Sequence, residues 1–357
     1  MRIHKIFIKL AIGLTILVLL LQMADLTKVL SCISTANVPY IFMAALAFIT
    51  ASTMVALAFF VSLKRTGVKT KMCNAILASF GGQLLSDITP ARSGYFLTPF
   101  ILNRIDGTPN SSGMACVVTT GAMNFLVKAT LSLISLIYFV SILPIGSTLM
   151  NSLIIGVLIL AGGGIGLLSL LWGKRLLGFL KKLEKMPIAG NLINGIIDVL
   201  NDLQEEAMKA RSSLISVAFL ILLSVIANSV ALYFISISLG TSSPTLLDFM
   251  FILSLVSAFN FIPITVAGLG IQETGYVILL DLMGVSIEKA VAFTLINRLL
   301  FMATDMIGLI PLFKIGFKSS ILKNAENVSS LGNLEAGELT GRAKLSFEGP
   351  MIIGMRR

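Results

Sequence analysis

Residues Phe259 to Gly275 interrupt a run of apolar residues at the depth where a membrane-crossing helix would be continuous. Pro263 has no backbone donor and disfavours helix in the residue before it, while Gly268 and Gly270 permit backbone conformations that other residues avoid. The helical pattern resumes at Ile271. In lipid every freed backbone group needs a partner in protein or water, so a break at this depth implies a buried cavity or site. A similar break runs from Asp87 to Gly94, between an apolar arm from Met72 to Ser86 and a return arm from Tyr95 to Leu102. The first arm has 15 residues. At ~1.5 Å rise per residue it covers ~22 Å of a ~30 Å hydrocarbon core, so a re-entrant hairpin fits better than two spans.

The other apolar segments fix the class. Hydrophobic residues make up 56% of the 357 and charged residues 12%, with mean hydropathy +0.96, against roughly 25% charged residues in a soluble domain. Full spans are expected at about residues 1–23, with an apolar run from Leu10 to Leu21, and at Tyr40–Leu63, Ala115–Val140, Asn151–Trp172, Ser213–Leu239 and Ala290–Phe313. The first, with Arg2, Lys5 and Lys9 ahead of its apolar run, has the flanks of a signal peptide, but no small-x-small cleavage pattern follows it and more spans do. The expected fold is an all-α polytopic membrane protein with six full spans and two re-entrant helical hairpins; eight conventional spans is the alternative.

Charge sets the expected topology. The predicted outer loops hold only Lys28 and Lys289 as basic residues, whereas Lys64, Arg65, Lys69, Lys71 and the cluster from Lys174 to Lys185 flank the opposite ends of the spans. Both termini are then cytoplasmic in a multi-pass cell-membrane protein. Residues 1–141 and 151–316 each read span, span, broken hairpin, span, and an odd number of spans inverts the second half. An inverted repeat brings both hairpins together near the midplane. Gly173 to Arg211 has basic residues with Leu and Ile at helical spacing, the pattern of interfacial amphipathic helices or, more simply, of a solvated loop. Residues 317–357 are expected as a mostly disordered cytoplasmic tail after the 1–316 membrane domain.

Several function classes are disfavoured. The net charge of +10 comes from residues flanking apolar segments without aromatic interleaving, which argues for membrane anchoring and against nucleic acid. Cys32, Cys73 and Cys116 lie far apart and His4 is the only histidine, so no zinc or other metal site, cofactor or His-dependent catalytic residue is expected. With no GxSxG, HExxH, Walker-type or dinucleotide pattern, the chain is not expected to be an enzyme.

Charge inside spans is the sharpest functional signal, because an unpaired ion at the bilayer centre costs at least ~2.5–3.5 kcal/mol. The candidates are Asp87, Arg92, Lys128, Glu273, Arg298 and Asp305. One reading has Arg92, Lys128 and Arg298 hold an anionic headgroup, most simply a phosphate, helped by the Gly268 and Gly270 start of a half-helix and by Asn260 and Glu273. The other has Arg298 paired with Glu273 as a structural ion pair and Arg92 snorkelling to the interface. Glu273 in a first helical turn also favours the helix dipole. Gln83, Asn124, Asn260 and Gln272 line a polar cavity or join helices by hydrogen bonds, and Tyr95 and Phe96 suit apolar lining. Gly162 and Gly166 have the spacing of close helix packing.

Pro90-Ala91-Arg92-Ser93-Gly94, Arg104, and above all Ile262-Pro263-Ile264-Thr265 with Gly268-Leu269-Gly270-Ile271-Gln272-Glu273, Gly284-Val285, Ala290 and Asn297-Arg298 resemble the flippase-like membrane domain of lysylphosphatidylglycerol synthases and related stand-alone proteins. The resemblance covers about residues 5–316. It implies a polytopic domain that moves a membrane lipid or polyprenyl-phosphate-linked sugar between leaflets, without the synthase's aminoacyl transfer. This chain departs from the resemblance at Tyr95, where a Glu is common, and at Asn124 and Lys128, where an Arg-containing acidic pair is common. A second expectation is a membrane scaffold or subunit for a separate glycosyltransferase or lipid synthase. A transferase acting on a lipid phosphate is a third, weakened by the lack of an acidic metal-binding cluster in the sequence.

Overall fold

Short polar or glycine-containing stretches divide a chain that is otherwise helix-forming, and the architecture follows those divisions. A computed structural model describes residues 2–89, 92–144, 146–173, 190–261, 265–266 and 268–316. Its elements are α1 (Arg2–Met23), α2 (Leu26–Ser34), α3 (Val38–Arg65), α4 (Met72–Asp87), a 3-10 turn (Ser93–Leu97), α5 (Thr98–Asp106), α6 (Asn110–Ile142), α7 (Ser147–Trp172), α8 (Gly190–Ala210), α9 (Leu214–Ser238), α10 (Leu246–Ser257), a 3-10 turn (Ala258–Phe261), α11 (Ile271–Leu282) and α12 (Ile287–Asp305). No strand occurs among the described residues. The chain forms two compact units, Met1–Pro311 and Leu312–Arg357. Of the second only the helical stretch to Gly316 is described, so the expected tail at 317–357 lies outside the described residues.

Five helices are long and apolar enough to cross a membrane: Val38–Arg65, Asn110–Ile142, Ser147–Trp172, Ile197–Ser238 and Ile287–Gly316. A sixth arises if Ile8–Met23 and Leu26–Ser34, bent by 91°, count as one. The chain is therefore an all-α polytopic membrane protein. The bend escaped the sequence reading, and Asp25 makes it: its carboxylate accepts from the amides of Thr27 at 3.0 Å and Lys28 at 3.4 Å, starting α2 afresh. Local signals set other ends. Pro39 sits in the first turn of α3 and Lys64 and Arg65 in its last, where charge complements the dipole. Thr245 and Asp248 form a capping box on α10.

Residues 72–106 fold back on themselves. A Cβ on Gly82 would overlap the Thr98 side chain, one on Gly94 would overlap the Leu85 carbonyl, and one on Gly81 would reach Ile101, so α4 and α5 run antiparallel. The open end is tied as well: Asp106 accepts from Thr70 Oγ1 at 2.5 Å and Asn74 Nδ2 at 3.2 Å, joining the start of α4 to the end of α5. Partial burial pushes the Asp106 carboxyl up, but hydrogen bonds from Thr70, Thr108 and Asn74 outweigh it and hold it below the ordinary carboxylate value. In the second hairpin Gly275 of α11 packs against Val256 and Phe259. Both turns have the arms expected from the sequence.

The halves exchange contacts in matching ways. α3 and α9 lie antiparallel: the Asn37 amide donates to the Ser238 carbonyl at 2.9 Å, Tyr40 stacks on Phe234, and Ala58 shares a core cluster with Val217 and Ile221. α6, the last span of the first half, meets α10 of the second, with Tyr138 donating to Asp248 at 2.9 Å and Ser135 to the Phe251 carbonyl at 3.2 Å. Reciprocally, Gly308 beyond α12 abuts Phe80 and Leu84 of α4. Each half thus buries the other half's broken hairpin. An extensive apolar cluster joins α2, α3, α9, α10, α11 and α12 around Phe249, Phe293 and Tyr276.

Two expectations are corrected by packing. The apolar side of α8 does not face lipid: Leu200, Leu203 and Ala207 pack on Ala115, Val118 and Leu171 of α6 and α7, and Gln204 donates to the carbonyls of Leu170 and Gly173. Amphipathic periodicity fixes that a face is covered, and the fold decides by what. Residues 174–189 of that segment lie outside the described residues. Gly162 and Gly166 touch nothing within 4 Å of a notional Cβ; their neighbours Gly163 and Gly164 make the close approach, to Phe125 and Leu126.

Candidate functional site

The first break gathers charge. α4 ends at Asp87, and Arg92 follows in left-handed backbone at φ 54°, the one non-glycine residue with positive φ among the described residues. That conformation costs about 1–2 kcal/mol for a residue with a Cβ and persists where its surroundings over-determine it. What holds it is on the side chain: Nη2 donates to Asp87 Oδ1 at 2.6 Å, and the guanidinium carbon lies 4.8 Å from the Phe301 ring centroid. Arg92 therefore does not snorkel to an interface. Pro90 and Ala91 lie outside the described residues.

At the second break, backbone and side chain interlock. Gly270 has φ 82° and approaches the Gly13 carbonyl and Ile16 of α1, so its bare backbone serves close packing. Its amide donates to Glu273 Oε2 at 2.7 Å, and Glu273 Oε1 stands 3.4 Å from Arg298 Nη1. Arg298 also reaches Gln272 Oε1 at 3.5 Å. The structural pair and the helix-start carboxylate expected from the sequence are thus both present, and Glu273 takes the amide that a phosphate was expected to use. Gly268, at φ 72°, and Gly270 shape this turn, and neither is among the residues that line the two cavities described next. The Asn260 side chain lies outside the described residues.

Two adjoining cavities lie between the breaks. The larger, about 600 Å³, is lined by α3, α4, the first break, α6, α7, α9 and α12, and the smaller, about 80 Å³, borders α10, α11 and α12. Arg92, Lys128, Asn228 and Phe301 line both and so form the partition. Arg298, Gln272 and Asn297 border the small one only. Gln83, Asn124, Tyr95 and Phe96 line the large one, as does the bare surface of Gly162 and Gly166. Gln83 combines both expected roles, because its amide also reaches the Ser52 carbonyl at 3.5 Å.

Lys128 differs from the two arginines. No carboxylate pairs with it among the described residues, and its charged neighbour is Arg92. The structure brings Arg92 and Lys128 to the partition and Arg298 to the small cavity beside it, with Asp87 and Glu273 already engaged with the two arginines. This arrangement places cationic donors at the edge of a cavity that also has amide and hydroxyl lining. No three His, Cys, Asp or Glu residues converge on a metal-sized site among the described residues. Sequence reading missed Ser52, Thr120, Asn228 and Phe301 as lining. Of these only Asn228, a polar residue in a span, carried a signal. No curated protein matches the chain. The model of the lysylphosphatidylglycerol synthase TM region family matches residues 6–307, and the chain belongs to that family.

Proposed function

We propose that this protein translocates a membrane lipid with an anionic headgroup, either a phospholipid or a polyprenyl-phosphate-linked sugar, through the partition between the two cavities. The observation that carries the reading is Lys128, a cation held between membrane-spanning helices with no ion-pair partner among the described residues. Such a charge is expensive to keep, and a phosphate that enters the cavity would give it, with Arg92, a shared counter-charge. Family membership supports a role with membrane lipids. The 600 Å³ cavity is large enough for more than a phosphate, so its amide and hydroxyl lining from Gln83, Asn124, Thr120 and Asn228 would meet the rest of the headgroup.

The two hairpins supply a route, since non-helical backbone at membrane depth is tolerated beside a cavity. The headgroup would pass from one cavity to the other across Arg92, Lys128 and Phe301 while its tails stay in the bilayer. The test is reconstitution of purified protein in liposomes with a fluorescent anionic phospholipid in the outer leaflet, followed by dithionite quenching. Movement by the protein alone, reduced in Lys128→Gln, supports the reading. Movement only with an added glycosyltransferase or synthase would favour the scaffold role, and a change in lipid mass would indicate a transferase.

A further inference from the structure

Asp305 closes α12 with no exposed surface, and Asp87 closes α4 with 8%. Facing Asp305 are Asp87 from α4, Arg92 from the first break and Ser52 from α3. Lys128 of α6 stands beside Arg92, and the next charge along α12 is Arg298, paired with Glu273 of α11. Asp87 Oδ1 accepts from Arg92 Nη2, but Asp87 Oδ2 and both Asp305 oxygens accept no hydrogen bond among the described residues. Fully ionised, the two carboxylates and the one guanidinium that acts on Asp305 carry a net negative charge in a buried site, which is unfavourable. Two facing carboxylates also have no donor between them. A single proton supplies the missing donor and removes the excess charge together.

We propose that Asp87 and Asp305 hold an exchangeable proton, and that Arg92 couples this proton site to the anion site of the cavity. The inference rests on the translocase reading for its coupling step and on the buried pair alone for the proton. In the empty state one proton lies on the pair, and Arg92 balances the remaining carboxylate. When a headgroup phosphate takes Arg92, the pair loses its counter-charge and binds a second proton. The loaded site then holds one phosphate charge, two neutral carboxyls, Arg92 and Lys128; Lys128 is a cation in both states and donates to the same phosphate, so the net charge of the site is the same empty and loaded. One proton enters per anion, so acidification strengthens binding, about tenfold per pH unit at full coupling.

Infrared difference spectroscopy of the protein in nanodiscs reads the proton without any ligand. A protonated-carboxyl stretch is expected near neutral pH and is lost or reduced in Asp305→Asn and in Asp87→Asn. Titration with dihexanoyl phosphatidylglycerol, a phosphodiester that does not itself change charge near neutral pH, reads the coupling. About one proton taken up per lipid in weak buffer is expected, with tighter binding at lower pH, and Asp305→Asn should bind with little uptake. No protonated-carboxyl band in the wild type overturns the proton site. Lipid binding with no uptake and no pH dependence overturns the coupling and leaves the translocase reading intact. No binding at any pH overturns the translocase reading, while the infrared band still decides the proton site. Because the wild type alone gives both readouts, a variant that fails to fold does not remove the test.

Discussion

Glu273 sits between the Gly270 amide, 2.7 Å from one carboxylate oxygen, and Arg298 Nη1, 3.4 Å from the other, and so ties the second break to the last span. Arg298→Ala leaves a carboxylate with 3% exposure without that cation. Breaking a buried pair from one side costs ~3–5 kcal/mol, so a markedly lower melting temperature in detergent is expected. Glu273→Gln keeps an acceptor for the Gly270 amide and should cost less. An Arg298→Ala protein that melts with the wild type would show that the pair does not hold the break.

Lys128 should behave in the opposite way. Having no carboxylate partner among the described residues, it contributes no ion pair to stability, and Lys128→Met is expected to melt at or above the wild-type temperature. Loss of a charge-assisted hydrogen bond of ~1.5–3 kcal/mol should weaken anionic lipid by about tenfold or more. Native mass spectrometry of the two proteins after a phosphatidylglycerol titration measures both. Equal lipid retention would separate Lys128 from the headgroup.

Glycines separate packing from cavity. Gly82→Ala meets the Thr98 side chain within the first hairpin and is expected to destabilise by ~1–3 kcal/mol. Gly162 faces open space, and Gly162→Ala should be neutral or gain up to ~1 kcal/mol from helix propensity. Gly162→Phe should fold yet fill part of the cavity, slowing lipid movement in the dithionite assay. A fast Gly162→Phe protein would show that the headgroup does not use that wall.

The Asp106 contacts with Thr70 and Asn74 hold both ends of the first hairpin on one side. In a cysteine-free background, Met72→Cys and Ile105→Cys should react with a membrane-impermeant maleimide from the same side of the membrane. Reaction from opposite sides would make residues 72–106 a crossing segment and would remove the inverted repeat.

The class, the two breaks and the charges Asp87, Arg92, Lys128, Glu273, Arg298 and Asp305 were legible in the sequence, because hydropathy, proline and glycine act through the local backbone; Asp248, in an apolar arm, was not singled out. Pro263 and Gly270 interrupt a helix wherever they stand, and Asp305 in an apolar segment is unusual in any fold. The partners of those charges were not legible. Arg92 could snorkel or turn inward, and only the fold-back after α4, together with the packing of the end of α12 on α4, placed it beside Asp87 and over Phe301. Gly162 and Gly163 carry the same local information, and a small rotation of α7 against Phe125 assigns one to the cavity and the other to packing. The sequence by itself determined that the chain crosses the membrane as broken and unbroken helices with buried charge. Tertiary structure decided which charges meet, because opposition across helices depends on register and rotation, which no single segment encodes.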